Sequence, residues 1–231
     1  MTSPEANPTP APPAASRISR AVSAAEFLLA AAIVIAHNVY RVVPNEVPIL
    51  FILGMLSFRI RDGGWQAMGF RRPESWGRVV AIAVAAAALR LALGSLVVEP
   101  LTGLVWPPIH PPAIASGIPG NLRNALLALL IVWTFAAVGE EVSYRGYLTG
   151  RAADLGGRTT AAWWAATVVA SVLFGYGHFY KGPAGIVDSG VAGLILGTAY
   201  LLTGRNLWTC VLAHGLIDTA ALVALFFGWA S

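Results

Sequence analysis

The chain has 231 residues, of which 57% are hydrophobic and 11% charged, with a formal net charge of +4. Soluble domains carry roughly 25% charged residues, so this composition excludes an ordinary soluble enzyme and predicts an all-α, polytopic membrane bundle. Nucleic acid is not an expected partner: the arginines fall in short patches between apolar runs, as the positive-inside rule distributes them.

Residues 1–16, MTSPEANPTPAPPAAS, are rich in Pro, Ala and Ser, carry little to bury, and read as a disordered tail ahead of one membrane domain over 17–231. Arg17 and Arg20 precede an apolar run over 22–43 that is too long for a cleaved signal sequence, so it is expected to remain as a first span. Apolar runs follow over 47–60, 78–98, 121–143, 159–179, 185–203 and 207–229. At about 20 residues per crossing they make seven segments, and the linkers leave room for an eighth. The second run is short and flanked by Pro44 and Pro48, which suits a tilted or re-entrant piece. FRIRDGGWQAMGFRRPESWGR (58–78) reads as a cytoplasmic interfacial segment, and the proline-rich connection 99–121, which holds no basic residue, as an external loop. The arginine pattern places the N-terminus inside, in the inner membrane of a bacterium. Cys210, alone in an apolar run, allows no intramolecular disulfide and is disfavoured as a nucleophile.

The polar side chains within apolar runs carry the functional signal, because an acidic residue at a helix centre costs about 2.5–3.5 kcal/mol on insertion scales. In VGEEVSYRGYL (138–148), Glu141 and Arg145 are i and i+4 on one face, while Glu140 lies about 100° away on the stripe of Tyr144 and is the freer carboxylate. In LFGYGHF, Phe174 and His178 are four apart, with Gly175 and Gly177 thinning the helix. In LAHGLID, His214 and Asp218 repeat the spacing, so that a carboxylate can fix one imidazole nitrogen while the other points at a reacting group. If the glutamate helix runs on to a turn at Gly156 and Gly157, Glu140 comes level with residue 174, and His178 lies one turn deeper. At about 1.5 Å per residue, Glu140 is about 15 Å into the lipid, and Asp218, counted from a turn at Arg205 and Asn206, about 16 Å. Three carboxylates, two imidazoles and a guanidinium are therefore expected to share one cavity.

EExxxR (Glu140, Glu141, Arg145), FxxxH (Phe174, His178) and HxxxD (His214, Asp218), in this order on successive apolar helices, resemble the CPBP intramembrane proteases. These are the CAAX prenyl endopeptidase type II and bacteriocin-processing, or Abi, group. Gly146 fits the pattern too, and MGFRRPE (68–74) resembles that family's cytosolic access segment; the resemblance covers about 121–220. It implies an intramembrane endopeptidase acting on a membrane-associated peptide or protein within the bilayer. Glu140 would be the base that polarises water, His178 would hold the same water, His214 and Asp218 would stabilise the oxyanion, and Glu141 with Arg145 would orient the site. Asp218 stands where prenyl endopeptidases usually carry asparagine, while bacterial members accept either, which weighs against a prenylated substrate. An ionised aspartate cannot donate to an oxyanion, so Asp218 acts either protonated or through His214. Three acids against one arginine leave an excess of negative charge: either a glutamate keeps its proton or a metal supplies the balance. The favoured mechanism is glutamic and needs no cofactor. The alternative is a metalloprotease with zinc on Glu140, His178 and His214, although no HExxH is present.

Structural readings stand beside these. Glu141 with Arg145 can simply glue helices, His37 and Glu26 read as interfacial or packing groups, and His110 as a solvated loop residue. Asp188 and Ser189 read as the N-cap of the sixth span, and Trp163, Trp164, Trp208 and Trp229 as interface anchors. A serine protease built on Ser189 and His214 is set aside because no GxSG occurs. The competing functional class is a non-catalytic membrane protein, an immunity or scaffold protein, or a small transporter relaying protons through the acidic cluster.

Overall fold

The computed structural model describes residues 17–107 and 117–229. Within them the chain forms seven helices: α1 (Arg17–Asn38), α2 (Glu46–Arg61), α3 (Trp76–Gly103), α4 (Leu122–Leu155), α5 (Thr160–Gly177), α6 (Gly182–Leu202) and α7 (Leu207–Phe226). Single 3-10 turns at Trp65–Met68 and Phe179–Lys181 precede α3 and α6. All but α2 are long and apolar enough to cross a membrane. The protein is a multi-pass helical bundle, close to the expected seven or eight helices: among the described residues six are long and apolar enough to cross, and the second has 16 residues. The Pro-Ala-Ser tail and His110 lie outside the described residues.

Polar side chains fix where the helices start. Ser75 accepts a hydrogen bond from Arg78 N, Asn121 from Asn124 N, Thr159 from Ala162 N and Asn206 from Trp208 N, each satisfying a donor that the first turn leaves free. The sixth span obeys a different signal. It begins at Gly182 with Pro183 in its first turn, so Asp188 and Ser189 lie inside the helix and are not its cap. Asp188 Oδ2 instead accepts from Arg90 Nη2 of α3 at 2.6 Å.

Successive helices run in opposite directions, so one end of the bundle collects the start of α1, the end of α2, the start of α3 and the α4–α5 and α6–α7 turns. The arginines gather at this end. Arg71 donates to Gly204 O at 2.5 Å, Arg78 to Leu202 O at 2.9 Å, and Leu207 N to Gly69 O at 3.1 Å, which binds the 62–75 connection across the α6–α7 turn. Met68 is fully buried there, and its carbonyl accepts from Tyr200 Oη at 2.7 Å. Gly146 makes this seat possible, because a Cβ on it would lie 2.5 Å from Met68 Cγ. The MGFRRPE segment is thus wedged into the basic end.

The middle of α4, Val132–Leu148, is wound as a π-helix, a wider turn that is usually brief and often marks functional segments. It runs on to Leu155 and turns back at Gly156 and Gly157, as the sequence suggests. The levels differ by about one turn from a simple count: Tyr144, not Glu140, meets Phe174, with ring centroids 5.0 Å apart. Side chains lean toward the N-terminus of their helix. In this antiparallel pair Tyr144 leans away from the turn and Phe174 toward it, so the two meet off level, and Glu140 reaches toward the level of Gly177 and His178.

Candidate active site

Phe174 is the hub on which the three sequence groups converge. Its ring lies 5.0 Å from Tyr144, 4.8 Å from His178 and 6.2 Å from His214, with the Arg145 guanidinium carbon 4.3 Å above its centroid. Gly177 leaves room for this stack, because a Cβ there would stand 2.6 Å from Tyr144 Oη.

Glu141 is fully buried and bridges two helices. Its Oε1 accepts from Arg145 Nη1 at 2.8 Å and lies 2.6 Å from His214 Nδ1 of α7. Arg145 Nη2 also donates to Gly193 O at 3.3 Å, which ties the pair to α6. His214 Nε2 faces Asp218 Oδ2 at 3.4 Å, so each of its ring nitrogens has a carboxylate acceptor. His178 Nδ1 donates to Phe174 O at 3.0 Å, which orients the ring and leaves Nε2 as its free nitrogen.

Glu140 differs from Glu141 in having no such ties. Its Oε2 is buried with no hydrogen-bond partner, as is Oε2 of Glu141. His214, Asp218, Glu141, Arg145 and Lys181 are among the charged groups near enough to act on it. Together with Tyr144 and His178, Glu140 lines a cavity of about 200 Å³. The fit to a metal is poor. Among the described residues no group of three or more His, Cys, Asp and Glu side chains is placed to hold an ion, and both nitrogens of His214 are directed at carboxylates.

The opposite wall of the same cavity holds residues that sequence reasoning missed. Glu46, buried at the start of α2, accepts from Asn38 Nδ2 at 2.9 Å and from Tyr144 Oη at 3.5 Å, and its Oε2 lies 3.3 Å from His37 Nε2. His37, read from sequence as a packing group, therefore faces the cavity, whereas Glu26 pairs with Arg61 and Arg151 at the basic end. An acid directly after a proline–asparagine cap, at the mouth of an apolar run, was the signal available for Glu46.

Residues 122–220 match the family model described as Type II CAAX prenyl endopeptidase Rce1-like. No curated protein and no solved structure matches the chain.

Proposed function

Because residues 122–220 match the Rce1-like type II CAAX prenyl endopeptidase model, we propose that the chain is a protease of that kind and cuts its membrane-bound substrate with a water activated by Glu140. Proteases of this family act on membrane-associated proteins. The observation that carries the reading is Glu140 itself, which lines one cavity with His178 and has a buried carboxylate oxygen without a hydrogen-bond partner.

Glu140 takes a proton from water held against the free Nε2 of His178, and the hydroxide attacks the scissile carbonyl carbon. The oxyanion is met by a ring N–H of His214, the one nearest the looser, 3.4 Å contact with Asp218. The C–N bond then breaks, and the proton on Glu140 passes to the leaving amine. Glu141 and Arg145 hold His214 and the α4 backbone in register, and Asp218 acts through His214. This is a glutamic mechanism that needs no metal.

With the basic end in the cytoplasm of a bacterial inner membrane, as the positive-inside rule requires, the N-terminus lies inside. The cavity is walled by the α1–α2 turn and the α5–α6 break, at the other end of the bundle. Substrate then approaches from the outer half of the bilayer and not past residues 68–74.

The test is Glu140→Gln in purified protein against the membrane peptide that accumulates uncut in cells lacking this protein. Loss of turnover by about 10²–10⁴-fold, the usual worth of a positioned base, with folding retained, is expected. Unchanged turnover would exclude the role. Turnover is also expected to persist after exhaustive chelation, and its loss with rescue by zinc would replace this mechanism by the metal one.

A further inference from the structure

A second cavity, of about 600 Å³, lies away from Glu140 and His178, at the basic end between the α4–α5 and α6–α7 turns. Its wall holds Arg61, Arg151, Arg158 and Arg205 against Asp62 and Asp154. Arg20 stands at its rim, since a Cβ on the lining residue Gly157 would lie 3.3 Å from Arg20 Nη2.

Sorting the donors by what they already hold separates scaffold from surplus. Arg61 and Arg151 are committed within the protein, the first through both Nη atoms to Glu26, Ser19 and Ser23, the second to Ser57, Asp62, Asp154 and Glu26. Arg158 spends Nε on Asp154 at 2.5 Å and Nη2 on Asp62 at 2.7 Å, and its side chain is 39% exposed. Among the described residues neither Arg20 nor Arg205 pairs with a carboxylate; Arg205 stacks over Trp163, its guanidinium carbon 4.6 Å from the ring centroid. Trp163 is only 8% exposed, and its Nε1, which can only donate, is buried with no partner. What remains in the cavity after the internal pairs are counted is a set of donors without an acceptor.

The backbone adds an independent observation. Arg158 and Arg205 both adopt left-handed conformations, φ 57° and 65°, each directly after a left-handed glycine. Such conformations are uncommon away from glycine and cluster at functional sites and ligand clamps, although Arg41, outside this cavity, shares the conformation. Both helical turns thus end by directing an arginine into one space.

We propose that this cavity binds the phosphate of an anionic phospholipid headgroup, with Arg205, Arg20, the free nitrogen of Arg158 and the Trp163 indole N–H as its donors. The location selects a lipid over a soluble anion. Basic cavities between membrane helices at the headgroup level bind such lipids, and the sequence neighbours Val22, Leu155 and Trp164 are exposed and apolar, where acyl chains would lie. The proposal stands independently of the protease reading.

The experiment titrates the intact protein in detergent with dioleoyl phosphatidylglycerol, reading the melting midpoint and the number of lipids retained in native mass spectrometry. Parallel arms use dioleoylglycerol, which has the same chains without phosphate, and inorganic phosphate. Wild type is expected to bind the phospholipid and melt higher, with no response to the diacylglycerol and a far weaker one to inorganic phosphate. The R20Q/R205Q double variant is expected to bind at least about tenfold more weakly, since each charge-assisted bond is worth that much or more. Unaltered affinity in that variant, an equal response to diacylglycerol, or equal affinity for inorganic phosphate would each overturn the proposal. If the double variant melts lower without lipid, Trp163→Phe decides the matter: it keeps the stack and removes only the N–H, so about a tenfold loss is expected and no loss refutes the site.

Discussion

At the basic end, Arg151 is 1% exposed and meets three carboxylates, Glu26 at 2.8 Å, Asp62 at 2.6 Å and Asp154 at 3.0 Å. All three are shared onward, Asp62 and Asp154 with Arg158 and Glu26 with Arg61. Ten residues back along the same helix, Glu141 is 0% exposed and meets Arg145 and His214, yet its second oxygen and one oxygen of its neighbour Glu140 have no partner. A buried charge is tolerable when its neighbours replace the water it has lost. Where replacement is complete, as around Arg151, the cluster clips α1, α2 and α4 together. Where it is incomplete, the remaining lone pairs are available to a reactant, and packing elsewhere must hold them in place.

The sharpest way to break this comparison is Arg151→Met, which leaves three carboxylates facing one another without their common cation. A loss of about 3–5 kcal/mol is expected, the usual cost of removing one partner of a buried pair, read as the melting midpoint in detergent. The folded fraction should turn over substrate normally, because Arg151 is far from the cavity that holds Glu140. A fall in specific activity without a fall in stability would erase the distinction between the two clusters.

Glu141→Gln falls between the two classes. The amide still reaches Arg145 and His214 but carries no charge, so a loss of about 1–3 kcal/mol is expected, together with a fall in kcat. Arg145→Lys should reproduce the kinetic defect, since a lysine cannot hold both Glu141 and Gly193 O in the geometry of the guanidinium.

What could be read from the sequence follows the same division. Glu141 with Arg145, Phe174 with His178 and His214 with Asp218 are legible because a spacing of four is a property of a single helix. The membrane helices are legible because their apolar runs are long. The cluster of Glu46, His37 and Asn38 is not, because Glu46 meets the other two and Tyr144 only once α1, α2 and α4 have packed. Asp188 reads as a cap because an apolar run follows it, whereas Pro183 starts the helix earlier and Arg90, from a helix distant in sequence, supplies the actual partner. The one-turn error in level has the same origin. Residue counting places Cα atoms, while Tyr144 and Phe174 meet through side chains that lean toward each other.

A smaller effect is expected at Asp218, which is half-buried and 3.4 Å from His214 Nε2. Asp218→Asn keeps a hydrogen-bonding group at that position and leaves His214 held at 2.6 Å by Glu141. Turnover should therefore fall only about tenfold, roughly the worth of one net hydrogen bond to a charged group, against a much larger loss for His214→Ala. Equal losses in the two variants would mean that Asp218 touches the substrate itself.

The smallest effect is on stability, at Glu140. If its carboxylate is held in place by surrounding packing and not by bonds of its own, Glu140→Gln removes a desolvated group that contributes nothing to the fold. The melting midpoint should stay the same or rise, within about 1 kcal/mol, in the variant expected to lose its turnover. The same kind of substitution at Asp154, a carboxylate bonded to Ser23, Arg151 and Arg158, should lower it. A Glu140→Gln protein that melted as low as Asp154→Asn would show that Glu140 is tied into the scaffold after all, and the contrast between a saturated and an unsaturated cluster would no longer identify the reactive one.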